Sequence, residues 1–409
     1  MAAMSGSAKP TVFVYPFDPE LTGEWMYQNL TAGDHDNHFR GELELLQRFK
    51  EHPQASQPPP AACCTHAHRL RLHHPPPLPN HYQAPPATAD MLVVPWLAVQ
   101  AFTRLRKGGL KAPGHVKLLA WNDRVIAAMR RHGPWWDTRR HRHAVFAQRC
   151  AGPPYERNGL RSRSLAVRTW PSLWEEANVT RLCFEPATAS AMGRGIFIPY
   201  GVGHGADGLR CPADSGARGP PPADAPRATS LMFAGSLATN AARGAWVNAM
   251  RRVGEPACRL LLFDKGGRKK RFDAASIEAA LRASSFSLQM RGHVGPRKAI
   301  FDSIRCGALP VLASDRTPLP FSDEIPYADF ALRVSERANA SRVLAALGRF
   351  EPPRLRGMRA AMARAAHMLD CGPNGGMADA VMARFVKVAD RVVSSVPATT
   401  VTPAPLLAY

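Results

Sequence analysis

The chain has 409 residues and a formal charge of +21, with 53 Lys and Arg against 32 Asp and Glu. That length holds two domains with cores of their own, and a hydrophobic content of 45% excludes a disordered or fibrous chain. The N-terminus MAAMSGSAKPTVFVYPFD shows neither a basic-plus-apolar leader nor a run of about 18 apolar residues, so a soluble chain is expected.

In chain order, Val12 to Tyr15 reads as a first strand, and Phe39 to Phe49 as a helix with Leu43, Leu46 and Phe49 on one face. Residues 51–87 are rich in proline and histidine and contain Cys63 and Cys64. They read as an insertion, and without paired ligand spacing no metal site is expected there. Met91 opens a buried strand. Pro134-Trp135-Trp136 precedes the cluster Arg139-Arg140-His141-Arg142-His143, and Ala144 to Phe146 is a strand behind it. Arg181 to Glu185 and Gly195 to Pro199 are two more strands. Residues 201–227, rich in Gly, Pro, Ala and Asp, form the best linker.

The second half alternates more clearly. Ser230 to Gly235 is a strand, followed by a helix with Arg243 and Trp246. Arg259 to Phe263 is a strand, Ile277 to Ala283 a helix, and Ser285 to Gln289 a strand. Strands alternating with helices in both halves predict α/β architecture with parallel sheets, whose ligands bind beyond the carboxyl ends of the strands. The expected organisation is an N-terminal domain over 1–200, a linker over 201–227, a C-terminal domain over 228–395 and a tail over 396–409.

Charge alone does not identify a polyanion partner. Arginine far outnumbers lysine, and alanine, glycine and proline are abundant, which fits a coding bias as well as selection for charge. Basic residues are scattered, with short clusters at Arg139–Arg142 and Arg268–Arg271. No aromatic RNA-binding strand or zinc-finger spacing is present, so nucleic acid is not expected. The eight cysteines allow disulfides without dictating a pairing. Asn29, Asn178 and Asn339 begin glycosylation sequons that matter only in a secretory chain.

The most informative stretch is RGHVGPRKAIFDSIRCGALPVLASD, 291–315. It reads as a glycine-bearing loop, a helix with Ile300, Phe301 and Ile304 at helical spacing, a stop at Gly307 and a buried strand. Arg297 and Lys298 fall in the first turn of the helix, where the dipole disfavours cations by roughly 0.3–1 kcal/mol each. A bound anion reverses that sign.

Residues 284–336 resemble the exostosin glycosyltransferases of family GT47. Ser285, Phe286 and Leu288 match the family's strand, Gly292 its loop, and Arg297, Phe301 and Asp302 its Arg-x-x-x-Phe-Asp helix. Pro310, Val311, Ser314, Asp315, Pro320 and Phe321 match the strand and loop beyond that helix. Earlier echoes keep the family order: VFVYPFDP at 12–19, ATADMLVVPW at 87–96, Gly133-Pro134-Trp135-Trp136 with His143, IFIPY at 196–200, and LMFAG with Arg243. The sequence departs from the pattern at Ser287, Met290, His293 and Gly307-Ala308-Leu309, with Cys306 one place early.

The resemblance implies a GT-B-like α/β fold, two Rossmann-like domains facing a central cleft, with the acceptor on the first and a nucleotide sugar on the second. It implies inverting transfer from a UDP-sugar to a glycan or glycoprotein acceptor, in the Golgi; because cationic side chains can do the electrostatic work, no metal or other cofactor is expected. Donor-binding residues are then Arg243, Gly292, His293, Gly295, Arg297, Lys298, Asp315 and Glu336, with Arg297 also stabilising the leaving diphosphate. His143 is the candidate base, with Asp137 and Glu185 as rivals. Asp302 reads as structural, and Asp34-His35-Asp36 as a chance spelling of a metal motif. Two alternatives are a non-catalytic polyanion-binding protein and a weakly active subunit that needs a transferase partner.

Overall fold

The computed structural model describes residues 10–17, 41–51, 85–95, 123–149, 178–185, 195–200, 225–237, 240–263, 274–292, 297–314, 317–370 and 375–395. Most of the Pro/His-rich insertion and of the linker, the tail and Asp34-His35-Asp36 lie outside them. Within the described residues the chain forms two five-stranded sheets, and every strand pair is parallel.

The first sheet runs in simple order: β1 (Val12–Val14), β2 (Met91–Val94), β3 (His143–Arg149), β4 (Thr180–Glu185) and β5 (Gly195–Phe197). β2 is buried at all four positions, which is why it reads as a continuous apolar run rather than an alternating one. Helix α1 (Gly41–Glu51) packs on β1 through Leu45, Leu46 and Phe49. A helix over 123–131 (α2) and the short turn α3 (Trp135–Thr138) lead into β3.

The second sheet contains β6 (Thr229–Ser236), β7 (Cys258–Phe263), β8 (Ser284–Met290), β9 (Leu309–Ala313) and β10 (Leu332–Val334) in the order β10-β9-β8-β6-β7. Its helices are α4 (Ala242–Val253), α5 (Ala274–Ala283), α6 (Lys298–Arg305), α7 (Ala340–Leu347) and α8 (Pro352–Ala366). Along β6, Leu231 and Phe233 join the main core, whereas Met232 packs with Ala280 and Leu281 of α5 in a second cluster. This alternation buries both faces of the sheet, as parallel sheets require. Gly307, at φ 82°, ends α6 and lets the chain reverse into β9.

A last helix, α9 (Met377–Ser395), packs not on the second sheet but on α1, β2, β4 and β5 of the first. Met377, Val381, Met382 and Phe385 bury its apolar face. Ion pairs tie it to both halves: Arg142 to Asp390 at 2.9 Å on one side, Arg384 to Asp323 at 2.5 Å on the other.

Candidate functional site

The order of the second sheet creates a switch point. β7 lies on one side of β6 and β8 on the other, so the segments leaving β6 and β8 part from one another at the carboxyl edge. Open α/β sheets bind ligands at such a crevice.

Two arginines converge there. Arg243, in the first turn of α4, is 2% exposed. Its Nη1 donates to the carbonyl of Ser236 at 2.5 Å, and its Nη2 to those of Met290 and Arg291 at 3.3 and 2.9 Å. One side chain therefore joins the ends of β6 and β8. Arg297, at the N-cap of α6, donates from Nη2 to the carbonyl of Ala234 at 3.0 Å. Both guanidinium carbons lie over the ring of Phe233, at 5.8 and 5.9 Å, within range of a cation–π attraction.

Neither guanidinium is ion-paired among the described residues. Nε of Arg243 and Nη1 of Arg297 are buried donors with no acceptor among the described residues. Burial, and then the charge of Arg243, push the pKa of Arg297 down to about 10, with Asp302 opposing. It remains cationic at neutral pH. Two cations without an ion-pair partner among the described residues, each with a buried donor to spare, suit an anionic acceptor. No side chain caps α6, so its N-terminal end faces the same need.

Gly235 lies beside the pair. A Cβ there would stand 3.1 Å from Nη2 of Arg297 and 3.0 Å from Cζ of Phe233, so the glycine admits the guanidinium to the strand. Behind the site, Nε2 of Gln289 donates to Ser287 and Ser303 at 2.7 and 2.9 Å, fixing α6 against β8.

Glu336 lies beyond β10. Oε1 of Glu336 accepts from Nδ2 of Asn240, and Nε1 of Trp246 donates to its carbonyl at 3.4 Å. Its charge reaches Arg243, where it partly offsets the effect of burial. Gly292 is next to Arg291, whose carbonyl holds Arg243. The structure thus gathers Arg243, Gly292, Arg297 and Glu336 along one edge. His293, Gly295 and Asp315 lie outside the described residues. Phe233 and Asn240 escaped the sequence reading: Phe233 reads as an ordinary core residue of a strand, and Asn240 shows only a capping signal, its Oδ1 accepting from the N–H of Ala242.

Two expectations are corrected. Lys298 does not join Arg297 as a second free cation: its Nζ lies 2.6 Å from Oδ1 of Asp302, one turn along α6. Burial raises the Asp302 pKa, and Lys298 works against it. Asp302 thus pairs with Lys298 within its own helix.

His143 is not placed to act as a base. It is 0% exposed at the amino end of β3. Its Nδ1 donates to the carbonyl of Arg139 at 3.0 Å, and its Nε2 accepts from the hydroxyl of Tyr15 at 2.8 Å. Trp136 meets the ring edge-on at 5.0 Å. Desolvation pushes its pKa down to about 3, and neither nitrogen is open to an acceptor hydroxyl. Asp137 is bound to Arg130 by hydrogen bonds of 3.0 and 3.1 Å. Those bonds, with the charge of Arg140 nearby, hold its carboxyl below the usual range. Glu185 ends β4 at the carboxyl edge of the first sheet, in register with Arg149.

Among the described residues, no group of acidic, His or Cys side chains is arranged to hold a metal, and no helix is long and apolar enough to cross a membrane. Cys183 and Cys306 are disulfide-bonded, and Cys258 is free and buried.

No individual curated protein matches the chain. The sequence profile of the Exostosin GT47 domain matches residues 6–347, a span that takes in both sheets, Arg243, Arg297 and Glu336 but stops before α8 and α9. The chain belongs to the exostosin GT47 family of glycosyltransferases.

Proposed function

We propose that the protein transfers a sugar, with inversion, from a UDP-sugar to a glycan or glycoprotein acceptor, across a GT-B-type cleft between the two sheets. The observation that carries this reading is the Arg243–Arg297 pair: two cations with no ion-pair partner among the described residues, each with an orphan donor, at the switch point of the second sheet. Breaking the anomeric bond leaves negative charge on the diphosphate, and fixed cations stabilise it without reorganising. Each charge-assisted contact contributes roughly 1.5–3 kcal/mol. Glu336, held by Asn240, accepts from the donor ribose. His293, Gly295 and Asp315, outside the described residues, are the further donor contacts of this reading, and the cationic side chains do the electrostatic work without a metal.

The acceptor hydroxyl needs a base. We assign this to Glu185, which stands at the carboxyl edge of the first sheet, whereas His143 is sealed and Asp137 is neutralised. A Golgi lumen location agrees with the family and with disulfides at Cys183 and Cys306, which persist in oxidising compartments.

The deciding experiment is thermal stabilisation of the full chain by UDP and a panel of UDP-sugars, beside Arg297→Ala. A ligand at 100 times its Kd stabilises by about 2.7 kcal/mol. A shift in the wild type that Arg297→Ala removes supports the donor site. No shift with any nucleotide would sink it.

A further inference from the structure

We propose that a groove on the N-terminal half, separate from the Arg243–Arg297 edge, binds an acidic oligosaccharide. Helix α2 turns Ile126, Ala127, Arg130 and Arg131 toward the groove, and Trp136 and Arg140 close it from the next turn of chain. Asp123 is the one acidic residue of its lining, and the volume is about 660 Å³. That lies within the range of roughly 300–1,000 Å³ typical of small-ligand sites.

Its charge and shape favour an anion with an apolar face. Arg130, Arg131 and Arg140 line the groove against Asp123, with Asp137 at the rim. Asp137 bridges two of them, 3.0 Å from Arg130 and 3.6 Å from Arg140, and so orders the rim. Arg140 also lies over Trp136 at 5.2 Å. Arg131 is exposed, and its charge is felt at His132. Guanidiniums match carboxylates and sulfates in a bidentate manner, and Ile126 and Ala127 offer the ring faces of a sugar an apolar floor.

The position is distinct from the donor site. α2 and α3 deliver the chain to the amino end of β3, and Arg139 donates to the carbonyls of Pro86, Ala87 and Ala89, just ahead of β2. The groove therefore lies toward the side where strands begin. Arg142 anchors the same segment to Asp390. An acidic glycan held there is gripped away from the carboxyl edges, as a long acceptor is when an enzyme holds on to it between transfers. The choice of a glycan over other anions rests on the transferase reading.

The test is calorimetric titration of the full chain, without nucleotide, using a heparin hexasaccharide, an oligogalacturonide hexamer and neutral maltohexaose. The two acidic probes separate sulfate from carboxylate recognition. At least one should saturate at 1:1, and Arg131→Glu should weaken it tenfold or more. Arg251→Glu, an equal charge change at an exposed position of α4, should cost less than threefold. Arg297→Ala should leave this binding unchanged while abolishing UDP binding. Equal losses in Arg131→Glu and Arg251→Glu would overturn the site, as would equal binding of maltohexaose. So would tighter binding of a charge-matched single-stranded oligonucleotide, or no binding of either acidic hexamer. If acidic hexamers bind as expected but the wild type ignores every nucleotide, the transferase reading fails and the groove stands.

Discussion

Arg297 donates to the carbonyl of Ala234 and Arg243 to that of Ser236, so two guanidiniums are fastened two residues apart on one strand. Each uses part of its donor set on the backbone and keeps a buried donor in reserve. That division needs the planar fork of arginine, which a lysine does not have. Arg297→Lys should therefore weaken UDP binding at least tenfold although the charge is kept, and titration calorimetry of the purified variant reads this directly. Binding within threefold of wild type would show that charge alone suffices.

Gly235→Ala tests the same geometry without touching a charge. The new Cβ meets Nη2 of Arg297 and the ring of Phe233 at 3.1 and 3.0 Å, so the guanidinium must move. UDP affinity should fall several-fold, while the melting temperature drops by no more than a few degrees, because the chain around Gly235 has no left-handed φ to strain.

Lys298→Met separates the paired cation from the free one. Losing the 2.6 Å partner of Asp302 should cost about 1–3 kcal/mol of stability. UDP affinity should change less than threefold, against a much larger loss for Arg297→Ala. A comparable loss in both variants would restore Lys298 to the donor site.

His143 makes a prediction about acid. Its pKa is near 3 when folded, against about 6.5 in an unfolded chain. The unfolded state therefore binds the extra proton between those values, and stability falls as pH drops through that window. Between pH 7 and pH 5 this residue should account for about 2 kcal/mol of lost stability. His143→Gln has no such group, so its denaturant midpoint should vary less over that range. An identical pH dependence in both proteins would mean that the imidazole is not buried neutral.

Glu185→Gln should lower kcat by roughly 10²–10⁴ and leave UDP binding intact, as measured by sugar transfer beside calorimetry. Unchanged kcat would move the base elsewhere.

Much of the second half was legible because its strands are buried on both faces and its turns carry clear stops, as at Gly307. Arg297, Arg243 and Glu336 could be singled out in the sequence because helix starts and strand ends are where α/β sheets hold anions. Pairing was harder to read. The spacing of Lys298 and Asp302 is that of an ion pair within one helix, yet the same lysine also fits an anion grip, and only packing decides between them. His143 misled for a related reason: a histidine beside arginines looks solvated until Tyr15, 128 residues earlier, is seen to close over it. The last three helices carry no chemistry and drew no reading from the sequence.

The placement of α9 governs how this protein is made. Its Phe385 and Val381 complete a core begun by Val12 and Leu46, so a sheet built from the earliest strands waits for one of the latest helices. Synthesis at about 5–20 residues per second leaves that surface uncovered for tens of seconds while the second sheet emerges and folds. The N-terminal half is thus finished last, after its junior partner. A chain cut at residue 347, where the family match stops, should keep the donor strands yet expose the first sheet, and it should aggregate rather than behave as a smaller enzyme.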